Sequence, residues 1–207
     1  MSAIAGRGTE LVFAPLEDAH VDLLHGWLRA DHVRPWWGVE GPVAATAAYV
    51  TAMRALDHQR SWVVSDAAGP FGYVETYVVA GDPLADHYDA EPGDRGLHLM
   101  VGERDRLGTP ASRVLAASVL TGLIAEPQAT RVLCEPNARN GRMLRFCASL
   151  GAEQLDEFPF GAKTAALLAW TPDVITARWP EAAARAAREG RRWDAMAGRA
   201  DTTEVSG

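Results

Sequence analysis

The sequence predicts an α/β fold in which one mixed β-sheet carries helices on both faces, with an extra helix at the C-terminus. Segments with the two-residue alternation of strands recur along the 207 residues, and segments with the apolar spacing of helices separate them. In the middle of the chain, strands follow one another directly, which is typical of antiparallel pairing. A strand–helix–strand order comes next, and the combination favours a mixed sheet that is covered on both sides.

The N-terminal part of the chain predicts one strand and two helices. Val21, Leu24 and Trp27 repeat at helical spacing and therefore share one helix face. Pro42 is suited to the first turn of the second helix, where no intrahelical partner is lost. In chain order we expect a loose, small and polar segment (1–9), a strand (10–16), a helix (17–30), a loop rich in Gly and Pro (34–42) and a helix (43–56).

Strands dominate the middle of the chain. The stretch DRGLHLMVG alternates, with Leu97 and Leu99 on one side and His98 and Met100 on the other. The two strands before it are joined by the turn AAGP, in which Gly and Pro favour a reversal of direction. We expect strands at 61–66 and 71–79, a loop dense in Asp, Gly and Pro (80–94) and a strand at 96–102.

The C-terminal part alternates helices with strands. A helical pattern ends at Gly151, and glycine is a common helix terminator. The expected elements are a helix (110–126), a short strand (130–135), a helix (138–151), strands at 156–161 and 163–170, and an Ala/Arg-rich helical segment at about 174–197. We therefore expect one domain over residues 10–171, followed by a helical extension and polar tail over residues 172–207.

Composition excludes several classes of partner. Lys and Arg number 20 and Asp and Glu number 27, giving a formal charge of −7, and an acidic protein binds nucleic acid and anionic lipid poorly. The two cysteines, Cys134 and Cys147, lie in apolar segments and predict buried, reduced thiols. With neither a signal-like N-terminus nor a membrane-spanning apolar run, we expect a cytoplasmic protein. The histidines show no metal-ligand spacing, so no metal is expected.

His98 is the unusual residue of the central strand, because an imidazole stands among side chains that suit a core. One interpretation is a core histidine that has found a hydrogen bond. The other is a base that faces a pocket, since imidazole, with an unperturbed pKa near 6.5, suits proton transfer at neutral pH. The strand by itself leaves both open.

The segment after this strand predicts an anion site. The strand runs through ERDRLGTPAS into a helix, whose unpaired N–H groups and dipole favour a negative charge. Arg104 and Arg106 add positive charge just before the turn at Gly108. One glycine is a weak motif, and an ordinary strand-to-helix turn remains the alternative.

With the following stretch EPNARNGRMLRFCASLGA, the arrangement resembles the GNAT superfamily of acyl-CoA N-acyltransferases. Four segments narrow the resemblance to the siderophore-type branch, the hydroxylysine and hydroxyornithine N-acyltransferases. These segments are HVRPWWGVEGP, GYVETYVVAGDPLADHYDAEPGDRGLHLMVGE, RVLCEPNARN and DEFPFGAKTAALL. The aminoglycoside 6′-N-acetyltransferases share the Trp-Trp-Gly and the Arg-Gly, and they are the alternative among enzymes.

The resemblance implies an acyl-CoA co-substrate, with acetyl-CoA as the expected donor, and a small amine or hydroxylamine as acceptor. The acceptor would be the hydroxylated amine of a lysine, ornithine or diamine derivative in hydroxamate siderophore biosynthesis. A homodimer stays open.

The resemblance also implies roles for particular residues. His98 would act as base and Asn137 would orient the substrate or a water. The residues expected at the coenzyme are Met100, Val101, Gly102, Arg104, Arg106, Gly108, Thr109, Ala111, Ser112 and Asn140. The residues expected at the acceptor are Trp36, Trp37, Glu75, Tyr77 and Lys163, each of which could instead be structural.

Three departures from the family pattern favour a further alternative, a non-catalytic acyl-CoA-binding module. Pro110 removes one N–H donor from the phosphate turn. Cys147 stands where many GNAT enzymes have a tyrosine that protonates the leaving thiolate. Asn137 stands where some siderophore-type members have an aspartate, and an amide cannot act as a base.

Overall fold

The computed structural model describes residues 3–6 and 9–189, which form one sheet of eight strands with helices on both faces. The strands are β1 (Ala3–Gly6), β2 (Thr9–Pro15), β3 (Gln59–Asp66), β4 (Gly69–Val78), β5 (Asp94–Val101), β6 (Arg131–Cys134), β7 (Glu153–Phe160) and β8 (Lys163–Trp170). The helices are α1 (Val21–Arg29), α2 (Arg34–Trp37), α3 (Val43–Arg54), α4 (Pro110–Ile124), α5 (Gly141–Ser149), α6 (Pro172–Arg178) and α7 (Pro180–Glu189). The predicted fold class is confirmed.

The order of strands across the sheet is β1-β2-β3-β4-β5-β6-β8-β7. Among the described strands, β5 and β6 form the parallel pair, and the other neighbours are antiparallel. The parallel pairing covers only 94–96 and 131–133, and beyond Gly96 the two strands separate. On its other side, β5 stays paired with β4 as far as Val101, so the sheet opens along one edge of β5 only.

Alternation along β5 divides its side chains between two hydrophobic clusters. Leu97 and Leu99 belong to the cluster formed with α4 and α5, whereas Met100 belongs to the cluster formed with α1 and α3. His98 shares the face of Met100, as the two-residue period requires. The central strand is therefore covered on both sides, as in the predicted architecture.

Several segments differ from the sequence prediction, among them β7, which begins at Glu153 rather than at 156. The expected loop at 34–42 begins with the short helix α2, because Pro35 suits a first helical turn and Gly38, at φ 72°, ends it. Helix α5 begins at Gly141 rather than near 138, because the Asn140 side chain caps it by accepting from the N–H of Met143. Within the segment expected to be loose, residues 3–6 pair with β2.

The C-terminal extension consists of two helices where one was expected. Helix α6 ends at Arg178 and α7 begins at Pro180, whose ring prevents a continuous helix. Ile175 and Ala183 are buried, and both helices pack against α4. Residues 190–197, which belong to the expected helical segment, lie outside the described part of the chain. No helix of the described residues is long and apolar enough to cross a bilayer.

The cysteines are free thiols that line the same cavity and differ in burial. Cys147 is buried as expected, whereas Cys134 is only partly buried. The expectation of full burial is wrong for Cys134 because it stands at the end of β6, where that strand has separated from β5.

An ion pair holds together the closed end of the parallel pair. Asp94 is fully buried and is the register partner of Arg131, whose Nε and Nη2 donate to its two carboxylate oxygens at 2.8 Å each. The Tyr88 hydroxyl donates to the same carboxylate at 2.7 Å. Burial alone would raise the pKa of Asp94, but the hydrogen bonds from Arg131 and its neighbours outweigh it, so this pKa lies below its ordinary value.

We predict that Asp94→Asn lowers the free energy of unfolding by about 3 kcal/mol, because it leaves the Arg131 charge without its buried partner. Urea denaturation measures this difference. Asp105→Asn is the matched control, since Asp105 is exposed and lies 3.8 Å from Arg106, and its effect should stay below about 0.5 kcal/mol. Equal effects of the two substitutions would contradict the role given to Asp94.

Candidate active site

Two connected cavities lie where β5 and β6 separate. The first has a volume of about 440 Å³ and contains His98 in its wall. The second, of about 830 Å³, runs along the start of α4 and the start of α5, and is called the groove below. The residues that border both are Trp36, Trp37, Leu99, Asn140, Met143 and Phe146. A molecule bound in the groove can therefore reach the first cavity.

His98 lies between two buried glutamates. Its Nδ1 is 2.6 Å from Glu75 Oε2, and its Nε2 is 2.9 Å from Glu135 Oε1. Glu75 is directly opposite His98 in the β4–β5 register, and such pairs bring side chains of one face into contact. Glu135 is the residue after β6, so the strand separation places its carboxylate across the cavity from β5.

Further donors surround each carboxylate. Oε1 of Glu75 accepts from the hydroxyls of Tyr73, at 2.8 Å, and Tyr49. Trp37 Nε1 in turn donates to the Tyr49 hydroxyl at 3.0 Å. These bonds link Trp37, which lines both cavities, to Glu75 and through it to the imidazole.

The second carboxylate has an equally complete set of partners. Glu135 Oε2 accepts from the Tyr77 hydroxyl at 3.0 Å, and Oε1 accepts from Lys163 Nζ at 3.1 Å. Lys163 also donates to the main-chain carbonyl of Glu135. The glutamates, His98 and Lys163 thus form a network of two negative and two positive groups when all are ionised.

The network favours the charged forms of His98 and of both glutamates. Burial would lower the pKa of His98, but Glu135 and then Glu75 outweigh it and raise the pKa well above its ordinary value. Burial would raise the pKa of each glutamate, but the bonds to His98 hold the pKa of both carboxyl groups below its ordinary value. His98 is therefore an imidazolium at neutral pH, and both of its ring N–H groups are engaged.

This result changes both initial interpretations of His98. The side chain is 32% exposed and lines a cavity, so it is not a core residue. The expectation of a neutral imidazole with a pKa near 6.5 is also wrong, because two carboxylates from neighbouring strands stabilise its proton.

The residues expected at the acceptor are gathered around this network. Trp36, Trp37, Glu75 and Lys163 line the first cavity. Tyr77 is not among its lining residues: it is 2% exposed and supports Glu135 from behind.

Asn137 lines the cavity as well. Its side-chain oxygen accepts from the N–H of Arg139 at 2.9 Å and so holds the turn after β6.

The residues expected at the coenzyme divide into two sets. Those that line the groove are Met100, Val101, Arg104, Gly108, Ser112 and Asn140. Those that are not among its lining residues are Gly102, Arg106, Thr109 and Ala111.

Each residue of the second set has another role. Arg106 pairs with Asp66 at 2.7 Å, and the N–H of Gly102 donates to the carbonyl of Phe71. Thr109 occupies the N-cap position of α4, where its hydroxyl donates to the carbonyl of Arg106, and Ala111 is buried in the core beneath that helix.

Sequence reasoning missed several residues of the site. Arg139, Arg142 and Arg145 line the groove with Arg104, and their three-residue spacing at the start of a helix was the available signal. Glu135 was quoted only as part of a motif, although a carboxylate directly after an apolar strand is unusual. Tyr49 had no signal, because nothing local connects α3 with β4.

Among the described residues, no group of three or more His, Cys, Asp or Glu side chains is arranged to hold a metal ion.

Comparison with known proteins gives a family match and several distant relatives. The model of the acetyltransferase (GNAT) domain matches residues 17–160. The N(6)-hydroxylysine O-acetyltransferase of Escherichia coli is 29% identical over 150 residues, which are 72% of this chain and 47% of that protein. The chain thus spans about half the length of this relative. The N-hydroxyputrescine acetyltransferase of Acinetobacter baumannii is 28% identical over 147 residues, 71% of this chain and 70% of that protein.

Solved structures show the same fold. An uncharacterized protein from Bacillus halodurans matches with a TM-score of 0.84 and 25% identity, over 89% of this chain and 97% of its own. The aminoglycoside acetyltransferase AAC(6′)-Ib, in complex with coenzyme A, matches with a TM-score of 0.72 and 21% identity, over 83% of this chain and 99% of its own.

We predict that the stability of the protein falls as pH rises from about 6 to 9, and that His98→Gln removes much of this dependence. Because the pKa of His98 is raised by folding, the folded state keeps a proton that the unfolded state loses above its ordinary pKa. The resulting slope is at most about 1.4 kcal/mol per pH unit. Urea denaturation across this pH range measures the free energy of unfolding. If this free energy changed with pH equally in the unmodified protein and in His98→Gln, the raised pKa would be contradicted.

Proposed function

The chain belongs to the acetyltransferase (GNAT) domain family, and from this premise we propose that it is an acyl-CoA-dependent N-acyltransferase. Its acceptor is the hydroxylated amine of a lysine, ornithine or diamine derivative, and its product serves hydroxamate siderophore biosynthesis in the cytoplasm. The observation that carries the proposal is the position of His98, whose two ring nitrogens lie within hydrogen-bond distance of two carboxylates beside a cationic groove.

The groove has the charge and the shape that the diphosphate end of coenzyme A requires. Its walls contain four arginines and one aspartate, Asp31, so it is strongly cationic in an acidic protein. The first turn of α4, with Gly108 and Ser112 at the wall, adds N–H groups that have no partner within the helix. The pantetheine arm would extend past Asn140 and Phe146 into the first cavity, where those residues border both spaces.

The His98 network favours a hydroxylamine acceptor over an ordinary amine. A primary amine, with a pKa near 10, must lose a proton before it can attack, and a base with a pKa near 7 would be needed. His98 cannot supply this base, because it already holds its proton and both of its N–H groups are engaged. A hydroxylamine nitrogen is far less basic, so it is already neutral at pH 7 and needs no prior deprotonation.

The reaction then requires only orientation and one proton transfer. The nitrogen attacks the thioester carbonyl carbon, the C–N bond forms, and the C–S bond breaks with coenzyme A leaving as a thiolate. The nitrogen loses one proton and the thiolate gains one. The Glu75–His98–Glu135 unit carries one net negative charge, which stabilises the positive charge that develops on the attacking nitrogen, and the proton of that nitrogen passes through water to the leaving thiolate.

We predict that Arg104→Ala and Arg142→Ala each weaken the binding of coenzyme A by about tenfold, or about 1.4 kcal/mol. Both side chains line the groove, where each would meet a phosphate. Calorimetric titration measures the dissociation constant, which should also rise with salt.

Arg106→Gln is the matched control for this titration. It removes a neighbouring arginine that is occupied by Asp66 and is not among the residues of the groove, so it should leave the affinity nearly unchanged. Absence of measurable binding of any acyl-CoA by the unmodified protein would remove the basis of the proposal.

We predict that, at pH 7, acetyl transfer to N-hydroxycadaverine exceeds transfer to cadaverine by at least about 100-fold in kcat/KM. The ratio of the two kcat/KM values should fall by up to about tenfold per pH unit as pH rises. The reason is that the neutral fraction of the amine grows with pH, while the hydroxylamine is already neutral. Release of the coenzyme A thiol measures both rates.

Other outcomes of this assay identify the alternatives. A preference for kanamycin would indicate an aminoglycoside acetyltransferase. Tight acyl-CoA binding without thiol release from any acceptor would indicate a non-catalytic binding module.

A further inference from the structure

We propose that the acceptor is a linear diamine hydroxylated on one nitrogen, and that Asp82 binds its second, unmodified ammonium group. This inference rests on the proposed function and selects among the acceptors that it allows. It excludes hydroxylated amino acids as the preferred substrates, because no cation among the described residues that line the cavity is free to pair with their carboxylate.

Among the residues that the structure describes, the first cavity has more acidic than basic side chains, and one of the acidic side chains has no cation bonded to it. Its acidic lining residues are Glu75, Asp82 and Glu135, and its basic or imidazole lining residues are His98 and Lys163. His98 bonds both glutamates, and Lys163 bonds Glu135 at 3.1 Å. Both cations are therefore committed to the glutamates, and Asp82 remains as a carboxylate without a cation at hydrogen-bond distance in the described part of the chain.

Asp82 is placed to meet a ligand. Its Oδ1 accepts from the N–H of Leu84 at 2.9 Å, which fixes the side chain at the start of a short 3-10 turn over Pro83–His87. Its Oδ2 lies 3.8 Å from Nε2 of His58, too far for a hydrogen bond. That nitrogen is buried and has no partner among the described residues. The carboxylate side chain is 17% exposed and lines the first cavity.

The distance along the sheet suits a short aliphatic chain. The carbonyl of His58, the residue that faces Asp82, accepts from the N–H of Val78, which is three residues along β4 from Glu75. At roughly 3.3 Å per residue this offset is ~10 Å. This offset is of the same order as the span of a short aliphatic diamine such as putrescine or cadaverine.

The wall between the two ends is suited to methylene groups and not to a carboxylate. Met53, Leu56 and Gln59 line the same cavity, and none of them carries a charge. In N6-hydroxylysine, a carboxylate would stand beside the ammonium that Asp82 binds. It would be desolvated without a positive partner and would be repelled by Asp82.

The decisive experiment compares N-hydroxycadaverine with N6-hydroxylysine, since these acceptors have the same chain and differ only in the carboxylate. We expect kcat/KM for acetyl transfer to be about 100-fold higher for N-hydroxycadaverine, measured as coenzyme A thiol release. N-hydroxypentylamine, which has no second ammonium, is the third acceptor and reports hydroxylamine acylation alone.

Asp82→Asn tests the residue itself. Asparagine keeps the side-chain oxygen that accepts from Leu84 and removes only the charge. We expect KM for N-hydroxycadaverine to rise at least tenfold with a smaller change in kcat, and the kinetics of N-hydroxypentylamine to stay unchanged. Asp86→Asn is the matched control, because Asp86 is exposed on the same turn and is not among the residues of the cavity.

Each other outcome overturns the inference in an identifiable way. Equal or better use of N6-hydroxylysine would show that the cavity accepts a carboxylate. An equal loss with N-hydroxypentylamine in Asp82→Asn would show that Asp82 is only structural. Turnover of N-hydroxypentylamine in either case would leave the proposed function standing, whereas failure of all three acceptors would reject the proposed function and the inference with it.

Discussion

The ion pair between Asp94 and Arg131 holds together the closed end of the parallel pair on which the rest of the site depends. The two residues are register partners in β5 and β6, and the pairing ends two positions further along each strand. Because the strands are joined at this end and separate at the other, a wedge-shaped opening forms inside a continuous sheet. Both cavities border the open part of β5, where the main-chain groups are not taken up by a neighbouring strand.

The separation also decides which charges meet. Glu75 contacts His98 from the paired side of β5, whereas Glu135 contacts it from the separated side. Neither glutamate would be stable in the interior without a positive partner, since burial disfavours their charged forms. His98 and Lys163 supply that charge, so the same contacts that stabilise the interior also keep the imidazole protonated. The same hydrogen-bond network therefore stabilises the buried glutamates and sets the protonation state of His98.

The sequence carried enough local pattern to predict the strands, the helices and the family. His98 in an alternating strand, the arginines before α4 and the Glu-Pro-Asn segment each have a signal within a few residues. The errors arose where a local pattern was taken as a contact. Arg106 stands next to the turn of α4 as expected, but its guanidinium reaches back to Asp66 of β3. Cys134 lies in an apolar run and yet borders a cavity, because its strand has left its neighbour.

What the sequence by itself determined is the period of each element, the residue types at the strand ends, and hence the fold class and family of this protein. What only the tertiary structure decided is the protonation state of His98, the commitment of Lys163 to Glu135, and the isolation of Asp82 from the other charges of its cavity. The physical reason is that hydrophobic periodicity depends only on residues that are close to one another in the sequence. A pKa instead depends on charges that β4, β5, β6 and β8 bring into contact, here Glu75 with His98, His98 with Glu135, and Glu135 with Lys163 at 2.6, 2.9 and 3.1 Å, and the longest of these contacts spans 37 residues of the chain.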